Sequence, residues 1–260
     1  MRSELNIAKE AAIEAGGIIL NYYKADYEIQ EKSYHNPVTT ADREADARVK
    51  EILLEERPDY GWLSEETVDS QERLNKEHVW VVDPLDGTKE FIEGVPHFVV
   101  SIALVEGGQP TIGVLYNPVT GETFTAAQDE GAYLNGEPIH CVTKENVSEM
   151  VILNSRSETR QGLWVPYVGT FGELRAIGSV AYKLGLTAAG QADIFASLRP
   201  KSEWDICAGT CIIREAGGKV IDLNGNNISF NQKQIRIEPG LIAGDIQAVD
   251  KTYKVFTANT

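Results

Sequence analysis

The segment that most constrains the fold of this chain reads VWVVDPLDGTKEF and spans residues 79–91. An apolar run ends abruptly at Asp83, and a second aspartate, Asp86, follows closely. A short apolar run of this kind predicts a buried strand at Val79–Val82. The proline between the aspartates fixes one backbone dihedral and Gly87 permits a tight turn, so both carboxylates can lie on one side of the strand end. Two carboxylates that close resist ionising together unless a cation lies between them.

The rest of the chain alternates between helical and strand patterns. The spacing of apolar residues predicts helices at residues 4–24, 40–56, 178–190, 203–218 and 246–255. Apolar runs bounded by glycine-containing turns predict strands within residues 98–127, at 150–155, near 220 and at 241–243. Thr39 and Asp42 have the spacing of a capping box at the start of the second helix.

Length and charge limit the classes of protein to consider. With 260 residues, the chain can form one large domain or two closely joined lobes, and the pattern changes near residue 148. We therefore predict an N-terminal lobe at 1–147 and a C-terminal lobe at 148–260. The net charge of −15 argues against binding to nucleic acid or to an anionic membrane surface. No apolar run is long enough for a bilayer span, and the first residues resemble an amphipathic helix rather than a signal peptide, so we expect a cytoplasmic protein.

Further acidic residues lie elsewhere in the chain, two of them where helices are predicted to begin. Glu65 and Glu66 are adjacent in GWLSEET, Asp205 opens a helix in SEWDICAGT, and Asp42 lies in the first turn of the second helix. Asp205 and Asp42 also have simple structural explanations, because an aspartate caps a helix and an acidic residue is favoured in the first helical turn. As a set, the acidic residues predict a site for hard divalent cations such as Mg²⁺, with Mn²⁺ as an alternative for the same oxygen ligands.

The motifs DPLDGTKEF and EWDICAGTCIIREAGG resemble the two signatures of the inositol monophosphatase superfamily, whose members are Mg²⁺-dependent, Li⁺-sensitive phosphatases. NPVTTAD and LSEET extend the resemblance over most of the chain in the expected order. The resemblance implies an α/β fold of layered helices and sheets, the αβαβα sandwich of the inositol monophosphatase and sugar phosphatase type. It also implies that the N-terminal lobe carries most metal ligands, while the C-terminal lobe carries Asp205 and the substrate pocket.

The same resemblance implies two or three bound ions. One Mg²⁺ would be held by Glu65, Asp83 and the backbone carbonyl of Leu85, and a second by Asp83, Asp86 and Asp205. Asp42, Glu65 or Glu66 would help to bind or orient a third, weaker ion and its water.

The resemblance further implies the residues that bind the substrate and activate water. The backbone amides of Gly87 and Thr88 would contact the phosphate, and the Thr88 hydroxyl, close to Asp42, would help activate the attacking water. Gly178 and Ser179 would line the substrate pocket, to which Asp205 also contributes.

Details of the motifs favour one activity within the superfamily. LSEE, DGTKEF and SEWD are most similar to 3'(2'),5'-bisphosphate nucleotidases of the CysQ type, which convert 3'-phosphoadenosine 5'-phosphate to AMP and phosphate. Leu198 stands where inositol phosphatases place an acidic residue for the sugar hydroxyls, which argues against inositol phosphate as substrate. RPKSE departs from the GPTSE that is typical of the CysQ type.

Two alternatives remain open at this point. The first is an inositol-1-monophosphatase or another sugar phosphatase with the same fold. The second is a cation-binding or interaction protein without activity, although the intact Thr88 and acidic positions argue against it. The resemblance allows monomers and dimers, and we expect a homodimer.

Overall fold

The structure is a computed structural model, and it describes residues 3–33 and 36–258. The longer helices are α1 Glu4–Tyr22, α2 Thr40–Glu56, α5 Val180–Ala188, α6 Glu203–Glu215 and α7 Ile246–Ala258, and the short ones are α3 Thr88–Ile92 and α4 Arg156–Arg160. Single 3-10 turns lie at Gln71–Asn75, Val147–Glu149 and Val165–Tyr167. The five helices predicted from the sequence are present, with ends that shift by a few residues.

Two sheets account for most of the strands. The first contains β3 Gly61–Ser64, β4 His78–Asp86, β5 Val99–Glu106, β6 Gln109–Asn117, β7 Glu122–Ala127, β8 Gly131–Leu134 and β9 Glu137–Pro138, in that spatial order. Its β3–β4 pair is parallel and its other pairs are antiparallel. The second has the order β11 Glu173–Ile177, β10 Val151–Ser155, β12 Ile194–Ser197, β16 Leu241–Asp245 and β14 Gly218–Asp222. Two small ladders complete the strands, pairing β1 Ile29–Ser33 with β2 Asn36–Thr39 and β13 Lys201–Ser202 with β15 Arg236–Ile237.

The helices form three layers that alternate with the two sheets. α1 and α2 pack together on one face of the first sheet, and small side chains such as Ala8 and Ala45 share this core with the large ring of Trp80. α5 and α6 lie between the sheets and contact strands of both. α7 covers the far face of the second sheet, where Phe256 packs with Trp164. The predicted αβαβα layering is therefore confirmed.

The strand that opened the sequence argument is longer than predicted. We predicted an end at Val82, but β4 continues to Asp86, and its pairing with β5 shifts register between Asp83 and Asp86. This irregularity accommodates Pro84, which cannot donate a ladder hydrogen bond.

The strands of the first sheet precede residue 147 and those of the second follow it. A division into lobes at that point stays a prediction, because α6 packs against both sheets. Within the described residues, no helix is long and apolar enough to cross a membrane.

Candidate active site

Three carboxylates from distant parts of the chain meet at one end of the first sheet. Glu65 follows β3, Asp83 lies in β4, and Asp205 lies in the first turn of α6. One oxygen from each lies within 4.8 Å of the others. Because β3 and β4 are parallel, their carboxyl ends meet at the same sheet edge, and the amide of Glu65 donates to the carbonyl of Val82 at 3.2 Å.

Local hydrogen bonds fix the direction of two of these carboxylates. Asp83 accepts from the backbone amide of Leu85 at 3.0 Å, which folds the turn after the strand back onto the carboxylate. Asp205 accepts from the amide of Ser202 at 2.9 Å, in a capping box at the start of α6. The structural role of Asp205 as a helix cap and its place in the cluster are therefore compatible.

Asp86 lies beside the cluster, and one of its two carboxylate oxygens accepts hydrogen bonds from the start of α5. The hydroxyl of Ser179 and the amide of Ala181 both donate to its Oδ2. Ser179 has a φ of 56°, a strained value for a residue with a side chain. The buried Lys183 supports this conformation, since its ammonium donates to the carbonyl of Ser179 and also contacts that of Gly178 at 3.3 Å.

A hydroxyl and a buried carboxylate form a second unit next to the cluster. The Thr88 hydroxyl lies 3.0 Å from Oδ1 of Asp42 and 3.2 Å from the carbonyl of Leu85. The other oxygen of Asp42 accepts from the amide and the hydroxyl of Thr39, at 2.7 and 2.6 Å, so the predicted capping box is confirmed. A hydroxyl that donates to a carboxylate keeps lone pairs with which to accept a proton from water.

Burial and mutual repulsion oppose ionisation of the aspartates. Burial is the main cause of the raised pKa of Asp83, and the charges of Glu65, Asp86 and Asp205 add to it. Burial raises the pKa of Asp86 to about 6, against the lowering contributions of Ser179, Lys183 and Ala181. Burial and the charges of Asp86 and Glu65 raise the pKa of Asp205 to about 7. Burial also raises the pKa of Asp42, against the hydrogen bonds from its two threonines. These carboxylates would be stabilised as anions by a cation.

The donor set of the cluster suits Mg²⁺. Glu65, Asp83 and Asp205 supply only carboxylate oxygens, which are hard ligands, and their separation leaves room for an ion between them. Leu85 and Asp86 line the same cavity as these three carboxylates and offer further oxygens as possible metal ligands, although neither belongs to the group of three. Among the described residues, this is the one cluster of acidic, histidine or cysteine side chains with metal-ligand spacing.

The cluster lies in a cavity of about 500 Å³ that contains nearly all of the predicted site residues. Glu65, Asp83, Leu85, Asp86, Gly87, Thr88, Gly178, Ser179 and Asp205 line it. Gly87 has a φ of 108°, and a Cβ there would lie 2.7 Å from the carbonyl oxygen of His97, so the turn requires glycine. A Cβ on Gly178 would clash with the side chain of Glu90. Asp42 does not line the cavity, and its hydrogen bond to the site is made through Thr88.

Two sets of site residues were not predicted. Asp46, one helical turn after Asp42, is buried and accepts from the hydroxyls of Ser64 and Thr67, which flank the Glu65 segment. The spacing of the two aspartates in TADREAD could have indicated this. The other set is a group of basic residues that line the same cavity and are called the basic wall here: Lys89, Arg156, Lys201 and Arg236. It comes from separate segments, and no local motif marks it.

Together, the fold and the site define a class of protein: a layered α/β chain whose acidic cation site shares a cavity with basic residues suited to an anionic ester. Comparison with known proteins agrees with this class. The sequence profile of the inositol monophosphatase family matches residues 1–253, and the chain belongs to this family. It is accordingly a phosphatase of a Mg²⁺-dependent family.

Individual relatives carry several names. The chain is 35% identical to the protein named Nus factor SuhB of Pasteurella multocida, over 87% of this chain and 88% of that protein. The structure of an IMPase of Thermotoga maritima superposes with a TM-score of 0.87 at 27% identity, covering 98% of this chain and 96% of that one. The structure of CysQ from Bacteroides thetaiotaomicron superposes with a TM-score of 0.77 at 31% identity, covering 94% and 97%.

Proposed function

We propose that this phosphatase is a Mg²⁺-dependent 3'(2'),5'-bisphosphate nucleotidase that hydrolyses 3'-phosphoadenosine 5'-phosphate to AMP and phosphate. The observation that carries the proposal is the pairing of the carboxylate cluster with a basic wall in one cavity. A cluster of carboxylates suits the cations that bind the phosphate to be removed, and further basic groups suit a substrate with additional negative charge.

The chain's own residues fit hydrolysis by direct attack of water. Bound Mg²⁺ would lower the pKa of a water and offset the charge of the phosphoryl group. Thr88 donates to Asp42, so a water proton can pass to the Thr88 oxygen as the Thr88 proton moves to Asp42. Burial raises the pKa of Asp42, which makes it a better proton acceptor than an exposed aspartate. The amides of Gly87 and Thr88, at the end of β4, are proposed to contact the phosphate.

The environment of Leu198 does not separate a nucleotide from an inositol phosphate, because this residue lies outside the cavity. Leu198 does not line the cavity; it packs against the core beneath α7, and its amide donates to Glu158 at 3.2 Å. RPKSE contributes Lys201 to the basic wall, where its ammonium lies 3.7 Å from Glu158.

A second candidate is an inositol-1-monophosphatase, which the name of the Thermotoga relative favours. A cation-binding protein without activity is the remaining alternative. The name Nus factor SuhB is borne by the Pasteurella relative, and absence of nucleic-acid binding in the present chain stays a prediction. Inhibition by Li⁺, a cytoplasmic location and a homodimer likewise stay predictions.

Phosphate release in Mg²⁺ buffer tests the proposal, with 3'-phosphoadenosine 5'-phosphate, inositol 1-phosphate and fructose 1,6-bisphosphate as substrates. We expect kcat/KM for the nucleotide to exceed that for either sugar by about tenfold, or about 1.4 kcal/mol of transition-state binding. Asp83→Asn serves as the blank. A preference for inositol 1-phosphate would reject the nucleotidase proposal and retain the site, and no turnover on any of the esters would reject catalysis.

A further inference from the structure

A second cavity of about 860 Å³ opens beside the active-site cavity. Both cavities are lined by Pro37, Lys89 and Ser157, so the second begins where the first ends. A ligand that reaches the carboxylate cluster can therefore extend into the second cavity without leaving the cleft. Its size falls within the range of small-molecule binding sites, roughly 300–1,000 Å³.

Three cations line this second cavity. Arg160 ends α4, Arg199 follows β12, and Lys89 is adjacent to Thr88. None of the three forms an ion pair with a carboxylate among residues 3–33 and 36–258. Arg156, at the first residue of the same short helix, differs: it pairs with Glu90 at 2.9 Å and with Glu93 at 2.6 Å.

The acidic residues of the second cavity do not cancel this charge. Glu31 and Glu93 also line it, but Glu93 is already bound by Arg156 from the neighbouring cavity. Three cations without carboxylate partners are unexpected in a chain with a net charge of −15. Arginine is the residue best suited to phosphate, because its planar guanidinium can donate two parallel hydrogen bonds.

The remaining walls are partly apolar. Ile29, half exposed, and Ile92 lie in the same cavity with Pro37. Inorganic phosphate has no apolar group that could pack against such residues. A ligand with an organic body and a charged end fits both kinds of wall.

We propose that this cavity binds the second phosphate of a bisphosphorylated substrate, through Arg160, Arg199 and Lys89, while the phosphate to be removed lies at the carboxylate cluster. The inference rests on the proposed function for the reaction, and it adds a site for the part of the substrate that does not react. The phosphate in the second cavity stays on the product, since the metal-binding carboxylate cluster found among the described residues lies in the first cavity.

The test compares substrates that differ by one phosphate. The charge-removing double variant Arg160→Gln/Arg199→Gln is assayed on 3'-phosphoadenosine 5'-phosphate against adenosine 3'-phosphate, and on fructose 1,6-bisphosphate against fructose 1-phosphate. We expect kcat/KM for the preferred bisphosphate to fall about tenfold or more, with the matched monophosphate changed by less than about twofold. Arg175→Gln is the matched control, because this exposed arginine lies outside both cavities and pairs with Glu173.

The outcomes separate this inference from the proposed function. If the wild type prefers the bisphosphate nucleotide and the double variant keeps that preference, the second-phosphate site is wrong and the nucleotidase proposal stands. If the wild type prefers only the sugar bisphosphate and the variant loses that preference, the site stands and the nucleotidase proposal is wrong. If the wild type prefers neither bisphosphate over its monophosphate, the second-phosphate site is overturned.

Discussion

Asp46 should control the affinity for Mg²⁺ without touching the ion. One of its oxygens accepts from the Ser64 hydroxyl and the other from the Thr67 hydroxyl at 2.7 Å. The Ser64 hydroxyl in turn accepts from the amide of Glu66 at 3.3 Å. Asp46 thus anchors both sides of the segment that carries Glu65, a residue of the carboxylate cluster. In Asp46→Asn, one of the two acceptors becomes an amide donor facing a hydroxyl.

The magnitude follows from the loss of one hydrogen bond to a charged group. Such a bond contributes about 1.5–3 kcal/mol, which corresponds to roughly tenfold to a hundredfold in an equilibrium constant. Loss of residues that orient metal ligands weakens metal affinity by about the same factor, 10–100-fold. Since one anchor remains in Asp46→Asn, we expect the lower end: the Mg²⁺ concentration for half-maximal activity should rise about tenfold.

The assay is the rate of phosphate release as a function of free Mg²⁺, with the shift of Tm on Mg²⁺ addition as a second readout. At saturating Mg²⁺ the rate should recover to within about twofold of the wild type, because Asp46 does not line the cavity. Asp193→Asn is the control: Asp193 is also buried and accepts from the amide of Val151 at 2.8 Å, but it directly precedes β12 of the second sheet. An Asp46→Asn protein with a lower Tm and an unchanged Mg²⁺ requirement would refute the reasoning and leave Asp46 a purely structural residue.

Two further predictions concern residues of the cluster itself. Asp83→Asn should abolish activity and raise Tm in chelator at about pH 8, because it removes one of several carboxylates that repel each other when ionised. Burial and repulsion raise the pKa of Asp86 to about 6 and that of Asp205 to about 7. The stability that these protonated groups contribute is therefore present at lower pH and is lost as the pH rises through these values. Thermal melts at about pH 5 and pH 8 check this. The assignment fails if the variant retains near-normal turnover, or if the metal-free wild type is more stable at pH 8 than at pH 5. Thr88→Ala should lower kcat by about a hundredfold or more with little change in KM, since the hydroxyl acts on the proton of the water. Steady-state kinetics decide, and a change confined to KM would make Thr88 a binding residue instead.

The sequence predicts those parts of the fold and site that depend on local patterns. The α2 boundary follows from Thr39 and Asp42, whose capping interaction is complete within one turn of helix. The turn at Gly87 follows from the need for a positive φ. The same locality explains why the acidic residues are found so readily: each stands at the end of a strand or the beginning of a helix, where the chain pattern changes.

Features formed between distant segments are not visible in the sequence. β4 was predicted to end too early, because its continuation to Asp86 depends on a register shift against β5. In the sequence, nothing distinguishes Arg160 and Arg199 from ordinary surface cations. They line one cavity only because the fold brings α4 and the segment after β12 together. Lys183 is similar: in the sequence it belongs to an apolar helix, whereas in the structure burial lowers its pKa to about 8 and it supports the Ser179 turn.

The cluster links parts of the fold that repel each other when no cation is present. Glu65 and Asp83 belong to the first sheet, whereas Asp205 belongs to α6, the helix that packs between the two sheets. A cation bound to all three would hold α6 against the sheet edge and remove the repulsion that raises the aspartate pKa values. Binding to the folded chain alone stabilises it in proportion to the logarithm of the cation concentration. The same ion reverses the local charge, which lets a chain of net charge −15 bind a phosphate ester. Stability and substrate binding should therefore depend on Mg²⁺ together.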